Sequence, residues 1–264
     1  MAQDTSFVKE NYSTSKNLTQ RISLHEKYST NKMGFKNWIL SYYDFKNVES
    51  GVADGIKVLE LGCGTGDMWI GQDELIARCS EIILSDFSEG MLETTKENLS
   101  QYDNIEFRVI DIQDIPYEDD SFDIVIAHSM LYHVPDIAKG ISEVRRVLKE
   151  GGKFYSATYG ENGIMPYLCS LLEKYDIKQN MNLRFTCQNG EEQLSQSFED
   201  VEFVRYEDSL EVTDIDDLII YMYSLVCMQE IQDTPKDEVK KILENYMVDG
   251  VLSIPKDYGM FISK

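Results

Sequence analysis

Three glycines at alternate positions, Gly62, Gly64 and Gly66, close the apolar run Ile56–Leu61, with the acidic Glu60 just ahead of them. Glycine lets a chain leaving a strand turn sharply, reach positive φ and approach a ligand with no Cβ in between. A helix-like stretch follows, and a helix start offers free N–H groups at the positive end of its dipole. A strand, a glycine turn and a helix start in that order can bind a nucleotide-like ligand or its acidic tail. Farther along, Asp86 follows the apolar run Ile82–Ser85 and Asp111 follows the run Ile105–Ile110. Open α/β sheets bind ligands outside the carboxyl ends of their strands, and a carboxylate there can accept both hydroxyls of a ribose. His128, His133 and Tyr159 come after the next two runs. An imidazole titrates near neutral pH, so these three are the candidates for moving a proton.

The dinucleotide fingerprint requires glycine at its first, third and sixth positions. Counted from Gly62, the last of these falls on Asp67, which argues against a nicotinamide oxidoreductase. The stretch Glu60-Leu61-Gly62-Cys63-Gly64-Thr65-Gly66 instead resembles motif I of the class I S-adenosylmethionine-dependent methyltransferases. Three further stretches carry the same resemblance in order: Val109–Pro116, Asp119–Val125 and Val144–Gly152. It is specific over about residues 55–160 and loose on either side.

The resemblance implies S-adenosyl-L-methionine as cofactor. The methionine end would lie against Gly62, Cys63, Gly64 and Gly66, with Glu60 as the acidic residue of the motif. Asp86 would hold the ribose and Phe87 would lie on the adenine face. Asp111 would meet the adenine amino group, and the backbone of Ile112 a ring nitrogen. The segment His128–Pro135 would sit beside the methionyl part and the acceptor, with His128, nearest the strand end, as the better contact. His133 and Tyr159 remain alternatives for a general base, and His133 also reads as a packing residue before Val134-Pro135.

These side chains need a scaffold whose strands end on one rim. Apolar runs at Ile56–Leu61, Ile82–Ser85, Ile105–Ile110, Phe122–Ala127 and Lys153–Thr158 alternate with helical patterns. That alternation predicts a parallel sheet with helices on both faces. The predicted helices cover roughly Trp69–Cys79, a stretch capped by Ser88, and a stretch from Asp136 stopped by Gly151-Gly152. Later segments predict helices from Ile164 to Tyr175, after Asn189, after Thr213-Asp214 and after Thr234-Pro235, with strands at Val201–Tyr206 and Tyr258–Ser263. The resulting fold class is α/β, Rossmann-like and doubly wound. By the resemblance its seven strands take the order 3-2-1-4-5-7-6, with strand 7 antiparallel. Helical insertions follow strands 5 and 6.

Residues 1–50 read as an N-terminal helical extension or lid, and Tyr28 or Trp38 could touch the site. Residues 51–264 read as the methyltransferase domain. Its core motifs occupy 55–160, acceptor-side insertions 161–257 and the final strand 258–263.

The chain has 264 residues, 42% of them apolar, enough for one sizeable core. It has no run of about 20 apolar residues, so no membrane span is expected. Its N-terminus is polar, without a signal-peptide core. Five cysteines form no C-x-x-C pair, which points to reduced thiols and a cytoplasmic setting. Three histidines and scattered aspartates make no metal-ligand pattern. A net charge of −22 with no basic run argues against a nucleic-acid substrate and favours a small molecule. The expected activity is methyl transfer to a small-molecule acceptor by in-line displacement. The rival is a protein that binds S-adenosylmethionine or S-adenosylhomocysteine as a sensor or scaffold without turnover.

Overall fold

The structure is a computed structural model that describes residues 23–45, 55–175 and 181–264, and the side chains of 226, 227, 229 and 230 are outside it. Its centre is a seven-stranded sheet of β1 (Ile56–Leu61), β2 (Cys79–Ser85), β3 (Ile105–Arg108), β4 (Phe122–Ile126), β5 (Leu148–Tyr159), β6 (Val201–Tyr206) and β9 (Tyr258–Ser263). The spatial order is β3-β2-β1-β4-β5-β9-β6. The first five strands pair in parallel, while β9 enters antiparallel between β5 and β6. Two remaining strands, β7 (Ser209–Val212) and β8 (Leu252–Pro255), form a separate antiparallel pair.

The central strands read as apolar runs because both faces are covered. Their side chains alternate between two cores. Leu59, Leu61, Ile83 and Val125 pack on the face covered by the helix Ile137–Val147. Val58, Ile82, Leu84, Ile124 and Ile126 pack on the opposite face, with Trp38 and Ile39 from the helix Phe35–Tyr42. A third core joins β7 and β8 to the helices Ile164–Leu171, Ile215–Tyr223 and Lys236–Glu244 and to Leu24 and Tyr28.

Helix starts follow the predicted caps. Ser88 Oγ accepts from Met91 N at 3.4 Å, Asp136 from Lys139 N at 3.0 Å, and Asp214 from Asp216 N at 3.0 Å. Asn189 also precedes its helix, but its side chain takes Thr186 N at 2.8 Å instead.

Several expected elements come out differently. The helix expected over Trp69–Cys79 shrinks to Asp73–Ile76. Trp69 is drawn inward to donate to Glu60, and Gly71 takes φ 76°, so the chain cannot wind through them. β5 begins at Leu148 and runs through Gly151-Gly152, with a register shift against β4 between Phe122 and Ile124. The pair β7–β8 was not expected, because each strand has only four residues and their partnership spans most of the inserted region.

The expected N-terminal extension is described only in part. The described residues 23–45 pack against the sheet face and the third core, and none of them lines the cavity below. Tyr28 donates to Asp217 at 2.6 Å, and Trp38 stacks on Phe35 with ring centroids 5.6 Å apart. Residues 1–22 and 46–54 lie outside the described residues.

Candidate active site

The carboxyl ends of β1, β2, β3 and β4 open on one cavity of about 520 Å³. That is within the range of small-molecule and cofactor sites, about 300–1,000 Å³. The glycine turn forms one wall, and each glycine has a separate reason to be one. Gly62, at φ 75°, lies so close to the segment after β4 that a Cβ would stand 2.9 Å from Met130. Gly66, also at φ 75°, lies against the helix Glu89–Leu99, where a Cβ would stand 2.7 Å from Thr95 Cγ2. Gly64, at φ 58°, has nothing within 4 Å of that position, so the backbone is left bare at the cavity. Gly62 N and Cys63 N both donate to Ser85 O at 2.8 Å, tying the turn to the end of β2. The Cys63 thiol is buried and lies 3.9 Å from Thr95 Oγ1, and burial pushes its pKa well up.

Asp86 bridges two loops. Its Oδ2 accepts from Gly64 N at 3.0 Å and its Oδ1 from Ser88 N at 2.8 Å. Burial raises its pKa, and the N–H groups of Ser88, Gly64 and Phe87 partly oppose that rise. Phe87 is 43% exposed and lines the same cavity. Asp111 lines it next to buried Ile112, and its carboxylate accepts from Gln113 N at 2.9 Å. Gln113, also in the wall, accepts from Asp136 N at 3.0 Å. Asp114 closes a turn, its N–H donating to Asp111 O at 2.9 Å.

The opposite wall is the segment after β4. Ser129 has φ 53° and donates its N–H to Ala157 O at 2.8 Å, which bends the chain along the cavity. Met130, Tyr132, His133, Val134 and Pro135 then face it. Tyr132 sits with its ring centroid 4.5 Å from His133 and 4.7 Å from Tyr159. Burial lowers the His133 pKa below its ordinary value, so the ring is neutral at pH 7.

A strand-end glycine turn, an acidic residue after β2 and another after β3 thus converge on one hollow. A family model described as a methyltransferase domain matches residues 53–245. This chain belongs to that family. The demethylmenaquinone methyltransferase of Staphylococcus aureus (strain MRSA252) is 33% identical over 175 residues, 59% of this chain and 71% of that protein. The YcgJ protein of Bacillus subtilis shares the fold at a TM-score of 0.53 and 19% identity, over 83% of this chain and 94% of that one. So does the [4+2]-cyclase SpnF, at 0.53 and 16%, over 97% and 95%. With its sheet order, the chain is a class I S-adenosylmethionine-dependent methyltransferase.

Four of the expected site residues of this methyltransferase are placed differently, among them Gly66, which packs against the helix Glu89–Leu99 and does not line the cavity. Glu60 is not part of the cavity wall. It is buried behind the glycine turn and accepts from the Trp69 indole N–H. Burial raises its pKa to about 7, opposed by that hydrogen bond. His128 does line the cavity, but neither ring nitrogen can take a proton from an acceptor. Ala157 N donates to its Nδ1 at 3.0 Å, which leaves the ring proton on Nε2, facing Tyr43 Oη at 2.7 Å. Burial alone holds its pKa down at about 3. Tyr159 stands outside the wall and donates its hydroxyl to Asn182 O at 2.7 Å. Of the three proton-transfer candidates, the cavity keeps His133. Gln113 also lines the cavity and Tyr43 meets His128 behind it, and sequence reading singled out neither. Tyr43 is distant in sequence from its partner, and Gln113 carries no chemistry that marks it out.

The residues present fit an adenosyl group. A carboxylate and bare glycine backbone stand at one end, and Phe87, Ile110 and Ile112 supply apolar flanks beside Asp111. No helix among the described residues is long and apolar enough to cross a membrane.

Proposed function

We propose that this methyltransferase acts on a neutral, planar, largely apolar small molecule bearing an acidic O–H or C–H. The observation that carries the reading is the distribution of charge in the cavity. Among the described residues, Asp86 and Asp111 are the charged residues of its wall, and both stand at the proposed adenosyl end. The far wall offers Met130, Tyr132, Val134 and Pro135, with His133 as its titratable group. Sulfur and aromatic faces suit a flat apolar partner, and no fixed charge there would reward an ionic one. The name of the Staphylococcus aureus relative supports a lipophilic small-molecule acceptor.

In this reading Asp86 accepts the ribose hydroxyls, Asp111 and the Ile112 backbone hold the adenine, and Phe87 covers its face. The turn Gly62–Gly66 leaves room for the methionine end, with Glu60 supporting it from behind. Bound S-adenosylmethionine supplies an electrophilic methyl group on a sulfonium, whose sulfur keeps the C–S electron pair when the methyl leaves. The residues' work is alignment and exclusion of water, and near-attack positioning alone can supply about 7–11 kcal/mol. His133 accepts the proton that the acceptor O–H or C–H gives up as its new bond to the methyl forms, and passes it to solvent.

Labelled S-adenosylmethionine incubated with 1-naphthol, a carboxylated benzene, a polyamine and transfer RNA tests the reading. Label on 1-naphthol above the other three is expected. Preferential labelling of the RNA or the polyamine would contradict it.

A further inference from the structure

The cavity wall that faces the proposed acceptor is held by a segment from outside the cofactor-binding half. The Asn182 side-chain amide donates to Tyr132 O. The two terminal nitrogens of Arg184 donate to Val134 O and Pro135 O, each at 2.6 Å. Three backbone carbonyls of the wall are therefore fixed by two side chains nearly 50 residues downstream.

That segment is braced in turn. Gln193, on the helix Gly190–Leu194, donates to Arg184 O at 2.9 Å, and Asn189 donates to Leu183 O at 2.9 Å. Phe185 is fully buried in the core shared with Leu131, Tyr132 and Val134. Tyr159, at the end of β5, donates to Asn182 O at 2.7 Å. The planar guanidinium fork reaches two successive carbonyls at once, which a lysine ammonium on a flexible stem cannot reproduce. None of these bracing residues lines the cavity.

We infer that Arg184, with Asn182, is a positioning residue for the acceptor, setting where Tyr132, His133 and Pro135 stand while leaving the adenosyl end alone. The inference rests on the acceptor reading above only in taking this wall as the acceptor's. Arg184 is held on one side by the helix after Asn189 and holds the wall on the other. The insertion after β5 thereby shapes acceptor choice without touching the acceptor. The adenosyl end is built from β1, β2 and β3 and shares no hydrogen bond with this latch among the described residues.

The test uses the full chain as wild type, Arg184→Lys and Arg184→Ala. Hydrogen–deuterium exchange with S-adenosylhomocysteine bound should show residues 129–135 exchanging about tenfold faster in Arg184→Ala, with Arg184→Lys between. Residues 61–66 should be unchanged, and S-adenosylhomocysteine affinity by calorimetry should stay within about twofold. Fluorescence titration of the loaded protein with 1-naphthol should weaken by about tenfold or more in Arg184→Ala and less in Arg184→Lys. Unchanged exchange over 129–135, or equal losses of S-adenosylhomocysteine and 1-naphthol affinity, would overturn the inference. If wild type ignores 1-naphthol, the planar-acceptor reading falls, and the exchange pattern still decides the latch.

Discussion

The two ends of the cavity are built by different means. At the adenosyl end, each contributor sits where its own strand stops: the glycine turn after β1, Asp86 after β2, Asp111 after β3. Backbone direction alone brings them together, because parallel strands deliver their ends to one rim. At the proposed acceptor end, one segment after β4 supplies the wall, and Asn182 and Arg184 from a distant insertion donate to three of its carbonyls. The first arrangement tolerates little change, since a Cβ at Gly62 would meet Met130 and one at Gly66 would meet Thr95 and Leu99. The second can be retuned by altering side chains that never meet a ligand. One fold can thus keep its cofactor and vary its substrate.

The sharpest way to separate the ends is His133→Ala. If His133 takes the acceptor's proton, turnover should fall by about 10²–10⁴-fold. S-adenosylhomocysteine affinity should hold, because the change lies at the far end. The pH profile gives the same test a sign. Burial puts the folded His133 pKa below 6.5, and the neutral ring is the active form. The wild-type rate should therefore fall as pH drops through that lowered value and stay flat from about pH 7 to 8. A wild-type rate that instead falls on the alkaline side of neutrality would remove His133 from the chemistry.

Next in size is the glycine turn. Gly66→Ala would place a Cβ 2.7 Å from Thr95 Cγ2 and 2.9 Å from Leu99 Cδ1 at φ 75°. Denaturant titration should show a loss of about 2–4 kcal/mol, strain and overpacking together. Gly64→Ala meets no atom within 4 Å, so the backbone cost alone applies, about 1–2 kcal/mol. Equal losses at the two positions would mean that packing against the helix Glu89–Leu99 is not what requires Gly66.

A comparably small effect is expected of Asp86→Ala. It removes the acceptor of Gly64 N and Ser88 N as well as the proposed ribose contact. Calorimetry should show S-adenosylhomocysteine bound more weakly by about 1–3 kcal/mol, with 1-naphthol binding to the loaded protein unchanged. A loss confined to 1-naphthol would invert the assignment of the two ends.

What the sequence made legible follows the same division. Apolar runs ending in glycine or aspartate are local signals, and they placed β1 to β5 and set Gly62, Gly64, Asp86 and Asp111 beside one cavity, while the sheet order followed from the family resemblance. Where the Glu60 carboxylate points was not legible from its motif position, and it accepts from the Trp69 indole N–H behind the turn. His128 was read as the better cofactor or acceptor contact because it stands nearest the strand end, and it does line the cavity. Its ring is saturated by Ala157 N and Tyr43, contacts set by strand pairing and by a helix far upstream. The pair β7–β8 and the Arg184 latch were illegible for the same physical reason. Each depends on residues brought together across long stretches of chain, where no spacing rule applies.

The account's central claim is tested most directly by a crystal structure of the full chain with S-adenosylhomocysteine. The prediction is an adenine beside Asp111 and Ile112, ribose hydroxyls on Asp86, and a sulfur aimed at the wall of Met130, Tyr132 and His133. A ligand bound away from the glycine turn, or one whose sulfur faces away from His133, would contradict it.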